Sequence, residues 1–184
     1  DKEILLYLEE NIHGSDIDSF LCHLSSIFLK MALSKHIESS GHIPTFKIRI
    51  ADGLKSFEKC AGAFRVVLCN PPYRKLTSIE AGPLRKKYKK IMGSGQPNIY
   101  SLFIGRSMRL LQEKGVAALL TPMSFVSGSY FAGVRKELVR LGTIQQFDLI
   151  RDKLGIFLGV QQDTIVTIWR KNVVACSKAT KIYT

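Results

Sequence analysis

Short apolar runs alternate with amphipathic stretches along most of this chain, and that alternation limits the fold more tightly than any other feature. Residues 11–18 read as a strand ending in acidic residues. Phe46, Ile48 and Ile50 alternate with Lys47 and Arg49, as in a half-buried strand ending at Ala51-Asp52-Gly53. Further strands are predicted over 64–69, 116–120 and 144–150. Between them, residues 19–36 carry Phe20, Leu21, Leu24, Ile27, Phe28, Met31 and Ala32 at the three-and-four spacing of an amphipathic helix. Helices are also predicted over 98–113, with Ile99, Phe103 and Leu110 on one stripe, and over 131–141. The last pair differs: 153–160 reads as a strand or loop and 164–169 as an antiparallel return. Residues 74–97, polar and basic with Gly93-Ser94-Gly95-Gln96-Pro97 at the end, are expected to form a mobile loop. The pattern predicts an α/β fold, a mostly parallel sheet with helices on both faces and a C-terminal antiparallel hairpin. A chain of 184 residues is expected to build one domain from it.

Strand ends in such a sheet are where ligands collect. The run Val66-Val67-Leu68-Cys69 leads into Asn70-Pro71-Pro72-Tyr73. Asn70 and Pro71 each precede a proline, which biases both toward extended backbone and stiffens the loop. The loop therefore offers an amide side chain, carbonyls in fixed directions and an aromatic face. A planar amino group such as that of adenine is a poor nucleophile, because its lone pair is delocalised into the ring. Acceptors at the Asn70 side chain and the Pro71 carbonyl would each take one N–H and favour the pyramidal geometry needed for attack. Tyr73 would stack on the ring, a contact worth about 1–3 kcal/mol.

Asp16 and Asp52 end the two preceding strands, and with Asn70 they are expected to line one cleft. Asp16 suits ribose hydroxyls, and Asp52 suits the amino group of a second adenine. A strand-end aspartate is as often a helix cap. Lys and Arg number 27 against 15 acidic residues, a formal charge of +12, which favours a polyanionic partner or reflects a solvated surface. The run Arg85-Lys86-Lys87-Tyr88-Lys89-Lys90 would contact phosphates or form part of that surface. Four scattered cysteines and four scattered histidines give no zinc or disulfide spacing, so no metal is expected. A cytoplasmic location is expected, and no run of residues is long and apolar enough to span a bilayer.

Ser15-Asp16-Ile17-Asp18, Ala51-Asp52-Gly53-Leu54, Asn70-Pro71-Pro72-Tyr73 and Asn98-Ile99-Tyr100-Ser101-Leu102-Phe103 fall in the order found in amino-group DNA methyltransferases. Together with Gly115 to Pro122 and Ser124-Phe125, they make the chain resemble an adenine-N6 enzyme of the gamma-type arrangement, as in restriction-modification systems, over about residues 12–170. The resemblance implies a Rossmann-like fold using S-adenosylmethionine, double-stranded DNA as partner, and a target adenine flipped out of the duplex. It implies that Asp16 holds the cofactor ribose, Ile17 packs on its adenine and Asp52 binds the adenine amino group. Asn70 and Pro71 would bind the target amino group, Asn70 also bordering the cofactor, with Pro72 and Tyr73 against the flipped base. Phe157 would cover the base's opposite face, and Lys86 and Lys87 would meet the DNA backbone. The family's glycine-rich cofactor loop should precede Asp16, and residues 1–10 hold neither glycine nor a strand. The chain is therefore expected to be a partial catalytic domain spanning 1–184, with its first strand missing and its cofactor grip weakened. Sequence specificity is expected to lie in a recognition domain or specificity subunit outside these residues. Methylation of a protein glutamine amide, RNA methylation and a catalytically inert DNA-binding remnant remain competing readings.

Overall fold

The computed structural model describes residues 1–92, 98–150, 163–172 and 181–183, and they divide into two units, Asp1–Glu58 and Lys59–Thr184. In the first unit, α1 (Lys2–Asn11) feeds β1 (His13–Asp16), followed by α2 (Ser19–Ala32), α3 (Ser34–Ser40) and β2 (Lys47–Ile50). β1 and β2 pair in parallel, with Asp16 opposite Ile50, and α2 packs on both. The Asp18 carboxylate caps α2, accepting from the Phe20 N–H at 2.8 Å. The helix expected over 19–36 is instead two, because the backbone at Leu33 (φ −103°, ψ 10°) leaves the helical ladder. Its apolar stripe is also less buried than the pattern suggests. Phe20, Phe28 and Met31 are exposed, while Cys22 is buried with its Sγ directed at the carbonyls of Asp16 and Arg49.

The second unit contains β3 (Phe64–Cys69), α4 (Ser78–Lys87), α5 (Lys89–Met92), α6 (Ile99–Leu110), β4 (Leu111–Pro122), α7 (Ser124–Ser127), α8 (Ala132–Leu141), β5 (Gly142–Ile150), β6 (Thr164–Lys171) and β7 (Lys181–Tyr183). Its five strands lie in the order β3-β4-β6-β5-β7. β3 and β4 run parallel, β6 runs antiparallel to both β4 and β5, and β7 runs parallel to β5. The antiparallel return is therefore inserted between two parallel strands. Helices α6 and α8 pack against this sheet, and the core gathers between them and Ala117, Leu119 and Trp169, where the indole N–H donates to the Leu138 carbonyl at 2.9 Å. Leu138 is fully buried, and truncating it to alanine would cost about 2–5 kcal/mol.

Three expectations need correction. The strand ends do not belong to one sheet: β1 and β2 form a two-stranded sheet of their own. Helices on both faces are not seen at β3: its Val66 and Leu68, turned away from α6, are 57% and 78% exposed, so no helix among the described residues covers that part of the sheet. Residues 74–92 are not a loop. Thr77 and Glu80 form a reciprocal capping box that starts α4, which accommodates Pro83 in its interior, and α5 follows at once. The Gly82-Pro83 pair and the charge run concealed this helix. Smaller shifts accompany these: α6 ends at Leu110, and β4 starts early, at Leu111, with a bulge at Gln112 to Gly115 in which Lys114 takes φ +64°.

Candidate active site

Asn70 stands one residue past the carboxyl end of β3, and Pro71, Pro72 and Tyr73 carry the chain away from the sheet without regular structure. Pro71 is buried, Asn70 and Pro72 are exposed and Tyr73 is half-buried. The loop is fastened through Tyr73. Its hydroxyl lies 3.1 Å from Asn70 Oδ1 and 3.1 Å from the carbonyl oxygen of Leu120 on the neighbouring parallel strand β4. The single phenolic proton serves one of these acceptors at a time or is shared between them. Burial pushes the Tyr73 hydroxyl's pKa above the ordinary tyrosine value, with the nearby Cys69 adding to the effect, so the group remains a donor at neutral pH. Cys69, the last residue of β3, points toward α6, where burial raises its thiol to about 11 despite a hydrogen bond with Ser107. It is a half-buried thiol held in its protonated form, and not a nucleophile at neutral pH.

Tyr100, in the first turn of α6, supports Tyr73 from beneath. Its ring meets that of Tyr73 edge-on at 6.4 Å, stacks on Phe131 at 5.2 Å, and its hydroxyl lies 3.2 Å from Ser124 Oγ. Burial raises the Tyr100 hydroxyl to about 12, the Ser124 bond opposing. In the sequence Tyr100 stands only as part of a recognisable motif, and nothing there marks Ser124 or Phe131 as its supports. The Leu120 carbonyl was foreseeable, because parallel pairing brings the end of β4 beside the end of β3.

In the first unit, Asp16 and Asp52 are neighbours. Asp16 ends β1 opposite Ile50, its carbonyl accepts from Ala51 N–H at 2.8 Å, and Asp52 follows directly. Each carboxylate spends one oxygen locally, Asp16 Oδ1 on the Asp18 N–H and Asp52 Oδ1 on the Leu54 N–H, both at 2.9 Å. These are local turns and not helix caps: the cap of α2 is Asp18, and no helix follows Asp52 before β3. Asp16 Oδ2 makes no hydrogen bond among the described residues, and Asp52 Oδ2 has only a loose contact with Lys55 Nζ at 3.7 Å. Ile17, between Asp16 and the cap Asp18, is 76% exposed. Two carboxylates with spare acceptor capacity beside an exposed apolar side chain fit the hydroxyls, amino group and ring of a nucleoside.

The structure thus brings Asp16, Ile17 and Asp52 together in one unit and Asn70, Pro71, Pro72 and Tyr73 together in the other. Lys86 and Lys87 lie in the last turn of α4, Lys86 exposed and Lys87 with its ammonium 5.8 Å from the Tyr88 ring centroid. Phe157 falls outside the described residues. Among the described residues no cluster of metal-binding side chains occurs, and no helix is long and apolar enough to cross a membrane.

An antiparallel strand set between parallel neighbours, with helices against the sheet, is the fold of class I S-adenosylmethionine-dependent methyltransferases. A protein of that description from Listeria monocytogenes superposes with a TM-score of 0.68 at 20% identity, over 94% of this chain and 49% of that one. A nuclease-deletion mutant of the Type ISP restriction-modification enzyme LlaGI, solved in complex with a DNA substrate mimic, gives 0.68 at 17% identity, over 89% of this chain and 17% of its own. The sequence model of the Eco57I restriction-modification methylases matches residues 10–157, and the chain belongs to that family. It is 28% identical over 116 residues to the Type II methyltransferase M.BsuBI of Bacillus subtilis, a match covering 60% of this chain and 22% of the relative. The chain therefore spans about a fifth of that relative's length. S-adenosylmethionine is the cofactor that this fold and family imply.

Proposed function

We infer that the two units form one catalytic domain, spanning 1–184, that methylates adenine N6 in double-stranded DNA after the base has been flipped out of the duplex. The observation that carries this reading is the fastening of the Asn70-Pro71-Pro72-Tyr73 loop to the end of β4, which fixes two neighbouring acceptors and one aromatic ring at a strand end.

When bound, S-adenosylmethionine supplies an electrophilic methyl group on sulfur. Asp16 accepts from its ribose hydroxyls, Asp52 from its adenine amino group, and Ile17 packs on its ring. Asn70 Oδ1 retains a lone pair beside the Tyr73 bond and takes one N–H of the target amine, while the Pro71 carbonyl takes the other. Holding both N–H bonds out of the ring plane localises the nitrogen lone pair. No strong base is needed, because the proton becomes acidic once the nitrogen carries the methyl, and it leaves to water. Tyr73 and Pro72 orient the base by contact with its face, and Lys86 and Lys87 neutralise backbone phosphates. The choice of recognition sequence belongs to a separate domain or subunit.

Incubating the full-length protein with labelled S-adenosylmethionine and, separately, duplex DNA, RNA and a glutamine-bearing protein substrate tests the reading. Label recovered as N6-methyladenine from the duplex is the expected result. Label found only in protein or RNA would replace the DNA reading with one of those alternatives.

A further inference from the structure

Helix α5 is only one turn long, yet it is held firmly against two other helices. Its buried face is formed by Ile91 and Met92, with Tyr88 just before them. Two glycines make the fit possible. A Cβ at Gly133 in α8 would lie 2.5 Å from the Lys90 carbonyl oxygen, and one at Gly105 in α6 would strike the Ile91 side chain. Seating the apolar side of α5 inward leaves Lys89 and Lys90 exposed beside α8, which itself exposes Lys136 and Arg140.

Arg109, in the last turn of α6, joins this surface from the other side. Its guanidinium donates to the Lys87 carbonyl at 2.6 Å and lies 5.0 Å from the Tyr88 ring centroid. Among the described residues, Glu137 supplies the one carboxylate beside these cations, and Arg140 engages both of its oxygens at 3.0 and 2.7 Å. Glu137 titrates below the ordinary carboxylate range, through the Arg140 bond first and the charges of Arg140, Lys90 and Arg109 after it. Lys89, Lys90 and Lys136 form no ion pair among the described residues. α6 and α8 each return the chain from the carboxyl ends of strands to the start of the next, so Arg109 and Arg140 lie at the sheet edge opposite Asn70. The basic run seen in the sequence is therefore only one side of a broader platform on the outer helical layer.

We propose that Lys89, Lys90, Arg109, Lys136 and Arg140 form a second DNA-binding surface, which runs along the outer helical layer from the start of α8 toward the sheet edge opposite Asn70 and grips duplex phosphates without regard to sequence. The proposal rests on the DNA reading above. Arginines held in place by a carbonyl, a ring and a carboxylate lose little side-chain entropy on meeting a phosphate, and the three unpaired lysines add charge. The surface acts to hold the duplex and takes no part in choosing or reacting with the base.

The test compares two triple variants of the full-length protein, one with Lys89→Gln, Lys90→Gln and Lys136→Gln and the other with Lys2→Gln, Lys35→Gln and Lys59→Gln. The second removes equal charge from exposed lysines elsewhere. Binding to a duplex of arbitrary sequence, without cofactor, is measured by fluorescence anisotropy across a salt series, with far-UV circular dichroism to confirm folding. Each phosphate contact contributes about 0.9 to the slope of log affinity against log salt. The first triple is expected to lose about 2–3 from that slope, and the second less than about 1. Equal losses, no loss in either, or no duplex binding by the wild type would overturn the proposal. Methyl transfer is read separately. Label entering only protein with the slope difference intact would remove the adenine reading and leave this surface standing, whereas DNA methylation with unchanged slopes would do the reverse.

Discussion

The hydroxyl of Tyr73 and the side-chain oxygen of Asn70 lie 3.1 Å apart, so the residue that would face the target base also restrains the amide that would hold its amino group. Replacing Asn70 with alanine removes the acceptor while leaving the Tyr73–Leu120 bond available. Methyl transfer by the full-length protein is expected to fall about 10²–10³-fold or more, the scale of losing one positioned hydrogen-bonding partner. S-adenosylmethionine affinity should stay within about threefold, because Asp16 and Asp52 are untouched. Calorimetry beside a single-turnover assay separates the two, and full activity in Asn70→Ala would overturn the proposed chemistry.

Tyr73→Phe keeps the ring against Tyr100 but removes the donor to Asn70 and Leu120. The half-buried Leu120 carbonyl then loses a partner, which is expected to cost about 0.5–1.5 kcal/mol in urea unfolding. Turnover should fall less than in Asn70→Ala, since the aromatic face survives. A larger loss than in Asn70→Ala would mean that the hydroxyl itself does chemistry.

Much of this was legible in advance, for physical reasons that can be traced to individual residues. β3 was bounded correctly because an uninterrupted apolar run meets Asn70-Pro71, where proline denies the ladder an N–H. The antiparallel return at 164–169 was also foreseen, as β6 bears out. α4 was missed because its strongest start signal, the Thr77–Glu80 box, lies outside any apolar period, and Pro83 argues locally against a helix that tertiary packing sustains. The supports of Tyr73 were hidden differently: Tyr100, Ser124 and Phe131 meet only when α6, α7 and the turn before α8 are packed, and no sequence spacing encodes that.

The capping box makes the start of α4 pH-dependent. Glu80 accepts from Arg74 at 2.7 Å and from the Thr77 N–H at 2.8 Å, and the Arg74 bond first, then Thr77, holds its carboxyl down to about 2 against an ordinary 4.5. Because the folded value is the lower one, this stabilisation is fully present above about 4.5 and fades as the pH falls toward 2. Glu80→Gln should abolish that part of the acid response. The check is hydrogen exchange of the Ser78 to Ala81 amides between pH 5 and 2.5, corrected for intrinsic rates. Identical profiles for wild type and variant would count against the cap.

The two glycines Gly82 and Gly133 should respond to alanine very differently. In α4, nothing beyond its chain neighbours lies within 4 Å of a Cβ at Gly82, but the residue precedes Pro83, whose ring crowds a Cβ on a helical neighbour, so the gain in helix propensity from Gly82→Ala is offset by that local clash. Its net effect is expected to stay within about 1 kcal/mol. At Gly133 the new methyl would meet the carbonyls of Lys90 and Ile91 at 2.5 and 3.0 Å, and these are backbone atoms that no rotamer change can move. Gly133→Ala must push α5 off α8, at a cost of about 1–3 kcal/mol. The displacement should also disorder Lys89 and Lys90 relative to Lys136 and reduce the salt dependence of duplex binding. Urea unfolding of both variants decides the matter: if Gly133→Ala proved as stable as the wild type, α5 would not be seated on α8 as described, and the basic platform built on that contact would lose its support.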